Sequence, residues 1–291
     1  MKKDPNNLSY ELTLTCRPPS SVTSEVLKGF LLSLGVPERN IVESEVLSMK
    51  HLSVYFPRLD QARMFRGKLK QGRLTNVSLR IKSWQEKDWK NKWKQEFVPF
   101  LLTKKVTVVP AWKRRDKRFK NKNTLIIDNS FAFGTGQHPT TRFLCEMIEE
   151  MAGSFTSFLD VGTGTGILAM LAAKNGAGDI RAIDLDRFCI QRAKENFKLN
   201  HCGWIHLDRK SLETFRPSQK YDFVAANLAT FDLIENRYKL LRFVKPKKYL
   251  AVSGISVNNY DLLRKQYKSL PLRCIKIRKK EGWVALLFKK R

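Results

Sequence analysis

Nine consecutive residues, Phe158-Leu159-Asp160-Val161-Gly162-Thr163-Gly164-Thr165-Gly166, decide much about how this chain folds: an apolar run enters three alternate glycines, and a helical pattern follows. Glycine is needed where the main chain turns sharply or a ligand approaches it closely, so the string reads as the strand-to-helix turn of a βαβ unit. Short apolar runs of the buried-strand type recur at 158–161, 180–185, 221–226 and 249–253, with helical patterns near 166–175, 187–200 and 231–243. Strands that alternate with helices in this way predict an α/β fold with a doubly wound, mostly parallel sheet. The runs 272–277 and 284–288 break the rhythm and read as an antiparallel C-terminal hairpin.

With 291 residues the chain exceeds one ordinary compact domain, and its pattern changes twice. Residues 1–83 read as a small α+β unit: strands at 8–16, 41–47, 52–56 and 77–81, with helices at 24–34 and 59–70. That β-α-β-β-α-β order is the one a ferredoxin-like domain uses. Residues 84–123 read as a connector and basic linker, in which Trp89 and Trp93 share one helical face and Lys113 to Lys122 form a basic run. Residues 124–291 hold the strand-helix alternation.

Charge is the outlier: 55 basic and 27 acidic residues give a net charge of +28. The excess is peripheral. Residues 124–263 carry 17 basic and 15 acidic side chains, whereas 264–291 carry 11 and 1. A surface this positive suits anionic partners, RNA or a ribosomal particle above all. No run approaches the roughly 18 apolar residues of a membrane span, which excludes a membrane protein of the helical kind. The polar start, Met1-Lys2-Lys3-Asp4-Pro5, lacks a secretory apolar segment, so a cytoplasmic setting is expected. Five scattered cysteines without a C-x-x-C pair predict reduced thiols and no metal site.

The spacing of the glycines narrows the ligand. A dinucleotide fingerprint requires glycine where Ile167 stands, and a phosphate-binding loop requires Gly-Lys-Ser/Thr, which is missing; D-x-G-x-G-x-G remains. Asp184 ends the next strand, 22 residues after Gly162, where a carboxylate accepts from ribose hydroxyls. Asp186 is better placed than Asp184 to cap the following helix. Asn227 closes the run Ala225-Ala226-Asn227-Leu228 at the carboxyl edge, where open sheets hold their chemistry. Upstream, Ala132-Phe133-Gly134-Thr135-Gly136-Gln137-His138-Pro139-Thr140-Thr141 is too rich in glycine, threonine and aromatics for an ordinary linker, and Thr140 or Thr141 is placed to cap the helix after it.

The D-x-G-x-G-x-G string resembles motif I of class I S-adenosylmethionine-dependent methyltransferases. Together with A-F-G-T-G-x-H-P-T-T, the Asp184 strand and the A-N-L-A turn, it resembles the PrmA family, which methylates amino groups of ribosomal large-subunit protein eleven. Asp88-Trp89, Trp93-Lys94, Pro110-Ala111-Trp112, Ser253-Gly254-Ile255 and Glu281-Gly282-Trp283 are similar to the same family. The family's usual Asp-Pro-Gly is Asp128-Asn129-Ser130 here. The resemblance implies S-adenosylmethionine as cofactor, contacts to it from Thr141, Gly162, Gly164, Asp184 and Asn227, and a substrate-recognition role for residues 1–83. It further implies transfer of methyl groups to a lysine side chain or N-terminus of a ribosomal protein.

In-line methyl transfer depends on positioning more than on a strong base. Asn227 is therefore the candidate catalytic residue, orienting the amine, with Phe133 walling the pocket. His138, beside Pro139, reads as structural. Two alternatives stand beside this reading: an RNA methyltransferase, on the strength of the basic run and tail, and a nonenzymatic RNA-binding module that keeps the cofactor fold. Against N6-adenine chemistry, Asn227 is followed by Leu228-Ala229-Thr230 and not by Pro-Pro-aromatic.

Overall fold

A computed structural model describes residues 8–16, 27–28, 31, 41–46, 49–56, 58–71, 77–85, 97–119, 123–128 and 134–291. The chain divides into two compact units, Met1–Phe97 and Val98–Arg291. That division falls inside the stretch read from sequence as the connector. The proposed Trp89–Trp93 helix and Phe133 lie outside the described residues.

In the first unit β1 (Leu8–Cys16), β2 (Ile41–Val46), β3 (Met49–Phe56) and β4 (Val77–Gln85) form an antiparallel sheet in the order β2-β3-β1-β4. Alternation in β1 buries Tyr10, Leu12 and Leu14, and helix α1 (Leu59–Gln71) adds Ala62 and Leu69 to that core. Leu27 and Leu31, both helical, join the same cluster. Strand β4 outruns the expected 77–81 because Leu8 pairs with Gln85, so the whole of β1 has a partner.

In the second unit β5 (Phe100–Leu101), β6 (Thr107–Pro110) and β7 (Thr124–Ile127) make a small sheet, with β6 and β7 parallel. Helix α2 (Pro139–Glu150) leads to the main sheet. Its strands are β8 (Ser157–Val161), β9 (Asp179–Asp184), β10 (His206–Arg209), β11 (Tyr221–Asn227), β12 (Val244–Ser256), β13 (Leu272–Lys280) and β14 (Trp283–Lys290), in the order β10-β9-β8-β11-β12-β14-β13. The first five are parallel; β14 and β13 are antiparallel. Helices α3 (Ile167–Lys174), α4 (Arg187–Leu199), α5 (Thr230–Glu235), α6 (Arg237–Phe243) and α7 (Tyr260–Tyr267) complete the alternation. Strand β8 is buried along its whole length and β11 up to Asn227, which explains their mostly apolar sequence, with Ser157, Asp160 and Asp222 buried on hydrogen-bond partners.

Three expectations are corrected. The helix read over 231–243 is two helices that meet at Asn236, whose side chain donates back to the Asp232 carbonyl. The hairpin strands extend to Lys280 and from Trp283, because the turn between them needs only Glu281 and Gly282, both at positive φ (51° and 78°). Strand β10 is polar in sequence and was not expected at all.

Asp222, at the start of β11, ties three elements. Its carboxylate accepts from Thr156 N (2.9 Å), Thr156 Oγ1 (2.9 Å) and Ser157 N (3.1 Å), and it faces Lys245 and Lys248 at 3.1 and 3.6 Å. Burial would raise its pKa, but these donors and the Lys245 ammonium outweigh burial and hold it below the ordinary 3.8. A depressed carboxyl stabilises the fold above the unfolded-state value, and that contribution is lost as pH falls through the folded value. Asp222→Asn is expected to lose about 3 kcal/mol at pH 7, and the gap from wild type should close under strong acid. Denaturant titrations at several pH values check this; a gap independent of pH would contradict it.

Candidate functional site

The glycine-rich turn leaves the end of β8 and enters α3. Gly162 N and Thr163 N both donate to Ile183 O (2.9 and 3.0 Å), binding the turn to β9. Gly162 adopts φ 70°, a conformation that favours glycine, and a Cβ there would lie 2.7 Å from Leu228 Cδ2 and force that side chain to shift. Gly164 N donates to Asp184 Oδ2 at 3.0 Å, and Asp186 N donates to Asp184 Oδ1 at 3.0 Å. Each carboxylate oxygen retains a further lone pair for a ligand hydroxyl. Asp186, not Asp184, caps α4, accepting from Phe188 N at 2.8 Å.

Asn227 ends β11 beside this turn. Its Nδ2 donates to Thr141 Oγ1 at 3.1 Å, and Thr141 is buried in the first turn of α2. The next residue, Leu228, is fixed from two sides. Its N–H donates to Ser253 O (3.1 Å), and Gly254, at φ 93°, admits the Leu228 carbonyl so closely that a Cβ would stand 2.0 Å from it. Helix α2 is capped by His138 and not by either threonine: its side chain accepts from Thr140 N, and its ring meets Trp283 edge-on at 5.0 Å. Burial holds the imidazole below its ordinary pKa, as suits a neutral cap. Thr141, Gly162, Gly164, Asp184 and Asn227 thus stand together at the carboxyl edge of the sheet.

Sequence reasoning missed Asn196, in the last turn of α4, and Asn200, the residue that caps that helix. Asn196 is fully buried; its Oδ1 accepts from Asp128 N (2.8 Å), and its Nδ2 donates to Asp128 O (3.2 Å) and Thr165 O (2.9 Å). Asn200 treats Ile126 likewise, accepting from its N–H at 2.8 Å and donating to its carbonyl at 2.6 Å. Thr165 Oγ1 in turn donates to Gly134 O at 2.5 Å. One buried amide therefore joins Asp128, where the family's Asp-Pro-Gly is altered, to the glycine-rich turn that holds Gly134. The only signal in the sequence is an i, i+4 asparagine pair on a charged helix.

S-adenosylmethionine fits these residues. Asp160, fully buried, accepts at Oδ2 from Thr163 Oγ1 (2.7 Å) and Ala169 N (3.2 Å), while its Oδ1 has no partner among the described residues. Burial pushes this carboxyl up to about 7. An orphaned acidic oxygen behind a glycine cradle suits a ligand that brings positive charge, as a sulfonium and an ammonium do. No cluster of three or more metal-ligating side chains occurs among the described residues. Asp184→Ala is expected to weaken binding of the cofactor product, S-adenosylhomocysteine, about 100-fold, through loss of two charge-assisted hydrogen bonds. Calorimetric titration measures this, and unchanged affinity would remove Asp184 from the site.

The pattern of the family described as "Ribosomal protein L11 methyltransferase (PrmA)" matches residues 18–291. The ribosomal protein L11 methyltransferase of Staphylococcus epidermidis is 33% identical over 225 residues, 75% of this chain and 71% of that one. The protein of the same name from Dictyoglomus thermophilum is 34% identical over 205 residues, 70% of this chain and 67% of its own. Among solved structures, a ribosomal protein L11 methylase from Lactobacillus delbrueckii subsp. bulgaricus superposes with a TM-score of 0.60 at 26% identity, covering 67% of this chain and all of that one.

Proposed function

We infer, from a chain that belongs to the ribosomal protein L11 methyltransferase (PrmA) family, an enzyme that methylates amino groups of that ribosomal protein, on a lysine side chain, the N-terminus or both. The chain is an S-adenosylmethionine-dependent methyltransferase. The observation that carries the assignment of roles is the hydrogen bond from Asn227 Nδ2 to Thr141 Oγ1. It fixes which end of the amide faces the helix and leaves Oδ1 as an acceptor for an amine N–H.

When bound, S-adenosylmethionine supplies a methyl group on a positively charged sulfur. The protein's part is to present a neutral amine on the line of displacement. Asn227 accepts one amine N–H and thereby aims the lone pair. Leu228, held by Ser253 and Gly254, keeps Asn227 from swinging away from Gly162. Asp184 takes the ribose hydroxyls, and Gly162 and Gly164 give the ligand close access to the main chain. Excluding water eases the amine's loss of its proton.

Residues 1–83 are read as the substrate-recognition domain with a ferredoxin-like fold, a reading supported by the sheet order β2-β3-β1-β4 and helix α1. The stretch from 84 onward is the connection, with its basic run at 113–122. The enzyme works in the cytoplasm and meets RNA or a ribosomal particle through its basic surfaces. Neither the RNA-methyltransferase alternative nor the nonenzymatic one gains support from relatives named for methylating a ribosomal protein. Labelled S-adenosylmethionine offered with separated ribosomal proteins, free ribosomal RNA and intact subunits tests the reading. Label is expected in the L11 fraction, and label in RNA alone would overturn it.

A further inference from the structure

We propose that the amino-terminal edge of the main sheet, the edge away from Asn227 and Asp184, is a docking surface for the phosphate backbone of RNA, centred on the cleft between Lys220 and Arg242. The cleft has a volume of about 280 Å³ and is lined by Pro217, Ser218, Gln219, Lys220, Arg242 and Phe243. It opens where β11 begins at Tyr221 and β12 at Val244, and where β14 ends at Lys290.

The charges on this edge are unbalanced. Asp222 is committed to Lys245 and Lys248, and Asp179 accepts from the Gln219 amide. Among the described residues, neither Lys220 nor Arg242 has an acidic partner. A third cation stands with them: Lys290 Nζ donates to Leu241 O (2.9 Å) and Val244 O (2.8 Å), at the end of the helix that carries Arg242. Burial, and after it repulsion from Lys220, holds that ammonium below its ordinary pKa. Cations at helix C-termini are favoured by the helix dipole, which accounts for Arg242 in the last turn of α6 but not for Lys220 in a loop. Three like charges gathered without counter-charge suit an anion, and a phosphate backbone returns condensed counterions to solution for each contact.

The hairpin pairing shows why other basic residues of the tail contribute less. Lys276 and Arg278 oppose Leu287 and Ala285, on the face where α2 presents Glu150 and Glu146 at 2.6 and 3.1 Å. Those charges are already neutralised. The proposal rests on the reading that the enzyme meets its substrate where RNA is present, and places that contact away from the methyl-transfer site.

The test is fluorescence anisotropy of the full chain with a labelled single-stranded RNA across a salt series, comparing wild type with Lys220→Gln/Arg242→Gln. Lys290 is kept because it caps α6. The double variant is expected to bind roughly tenfold more weakly at low salt, with a slope of log affinity against log salt shallower by about 1.4, at 0.7 per lost phosphate contact. Its methyl transfer to isolated ribosomal protein should equal wild type. Affinity within twofold and an unchanged slope overturn the proposal. So does the loss appearing instead in a variant with Lys113, Arg114, Arg115, Lys117 and Arg118 changed to glutamine, or equal binding to vesicles rich in phosphatidylserine. A wild type that binds RNA through these two residues yet transfers no methyl group to protein would refute the methyltransferase reading and leave the docking surface standing.

Discussion

Asn227→Ala is expected to lower kcat about 100-fold, because a misplaced acceptor amine forfeits positioning of this order. The side chain is half-buried and its hydrogen bond to Thr141 joins two elements already packed together, so the melting temperature should change little. Single-turnover methyl transfer with saturating cofactor isolates the chemical step. Asn227→Asp sharpens the result: it can still accept from the amine but loses the donor to Thr141, so activity should lie between wild type and alanine. An alanine variant that transfers methyl groups at the wild-type rate would exclude Asn227 from the reaction.

Asn196→Ala is expected to cost about 3 kcal/mol of stability, as much as Asp222→Asn, because it strands an N–H and two carbonyls at once. For a unit of this size that amounts to a loss of roughly 8 °C in melting temperature. Thermal unfolding and S-adenosylhomocysteine titration should be read together. The variant frees Asp128 from Thr165, so cofactor affinity falls as well, although Asn196 is assigned no contact with the cofactor. A stability loss under about 1 kcal/mol would mean that water replaces the amide at no penalty.

What could be read from the sequence, and what could not, divides along physical lines. Strands β8 and β11 announce themselves because a parallel strand covered on both faces is mostly apolar, Asp160 and Asp222 being exceptions held by hydrogen bonds. Gly162, Gly164 and Asp184 are legible because turn geometry and strand ends restrict which residues can stand there. Strand β10 is hidden because an edge strand of four residues, His206 to Arg209, buries none of its side chains fully. The helix break at Asn236 is hidden because asparagine within an amphipathic pattern reads equally as surface. Thr141 emerged through the family resemblance, since only the folded chain brings it to Asn227 across 86 positions. Asn196 and Asn200 are hidden for the same reason: their partners lie 31 to 74 residues away.

Strand β13 is the outermost strand of a seven-stranded sheet, nine residues long, and a bare edge of that length is a template on which another strand can add. Here the template carries Arg273 and Lys279, besides Lys276, Arg278 and Lys280, whose charges Glu150, Glu146 and Glu281 balance. A second copy arriving edge to edge in either direction would press lysine and arginine against their like, with the register break between Cys274 and Lys276 spoiling the match further. The tail that makes the chain so basic therefore also stops its sheet from growing from one molecule into the next, which protects a concentrated protein against fibre formation.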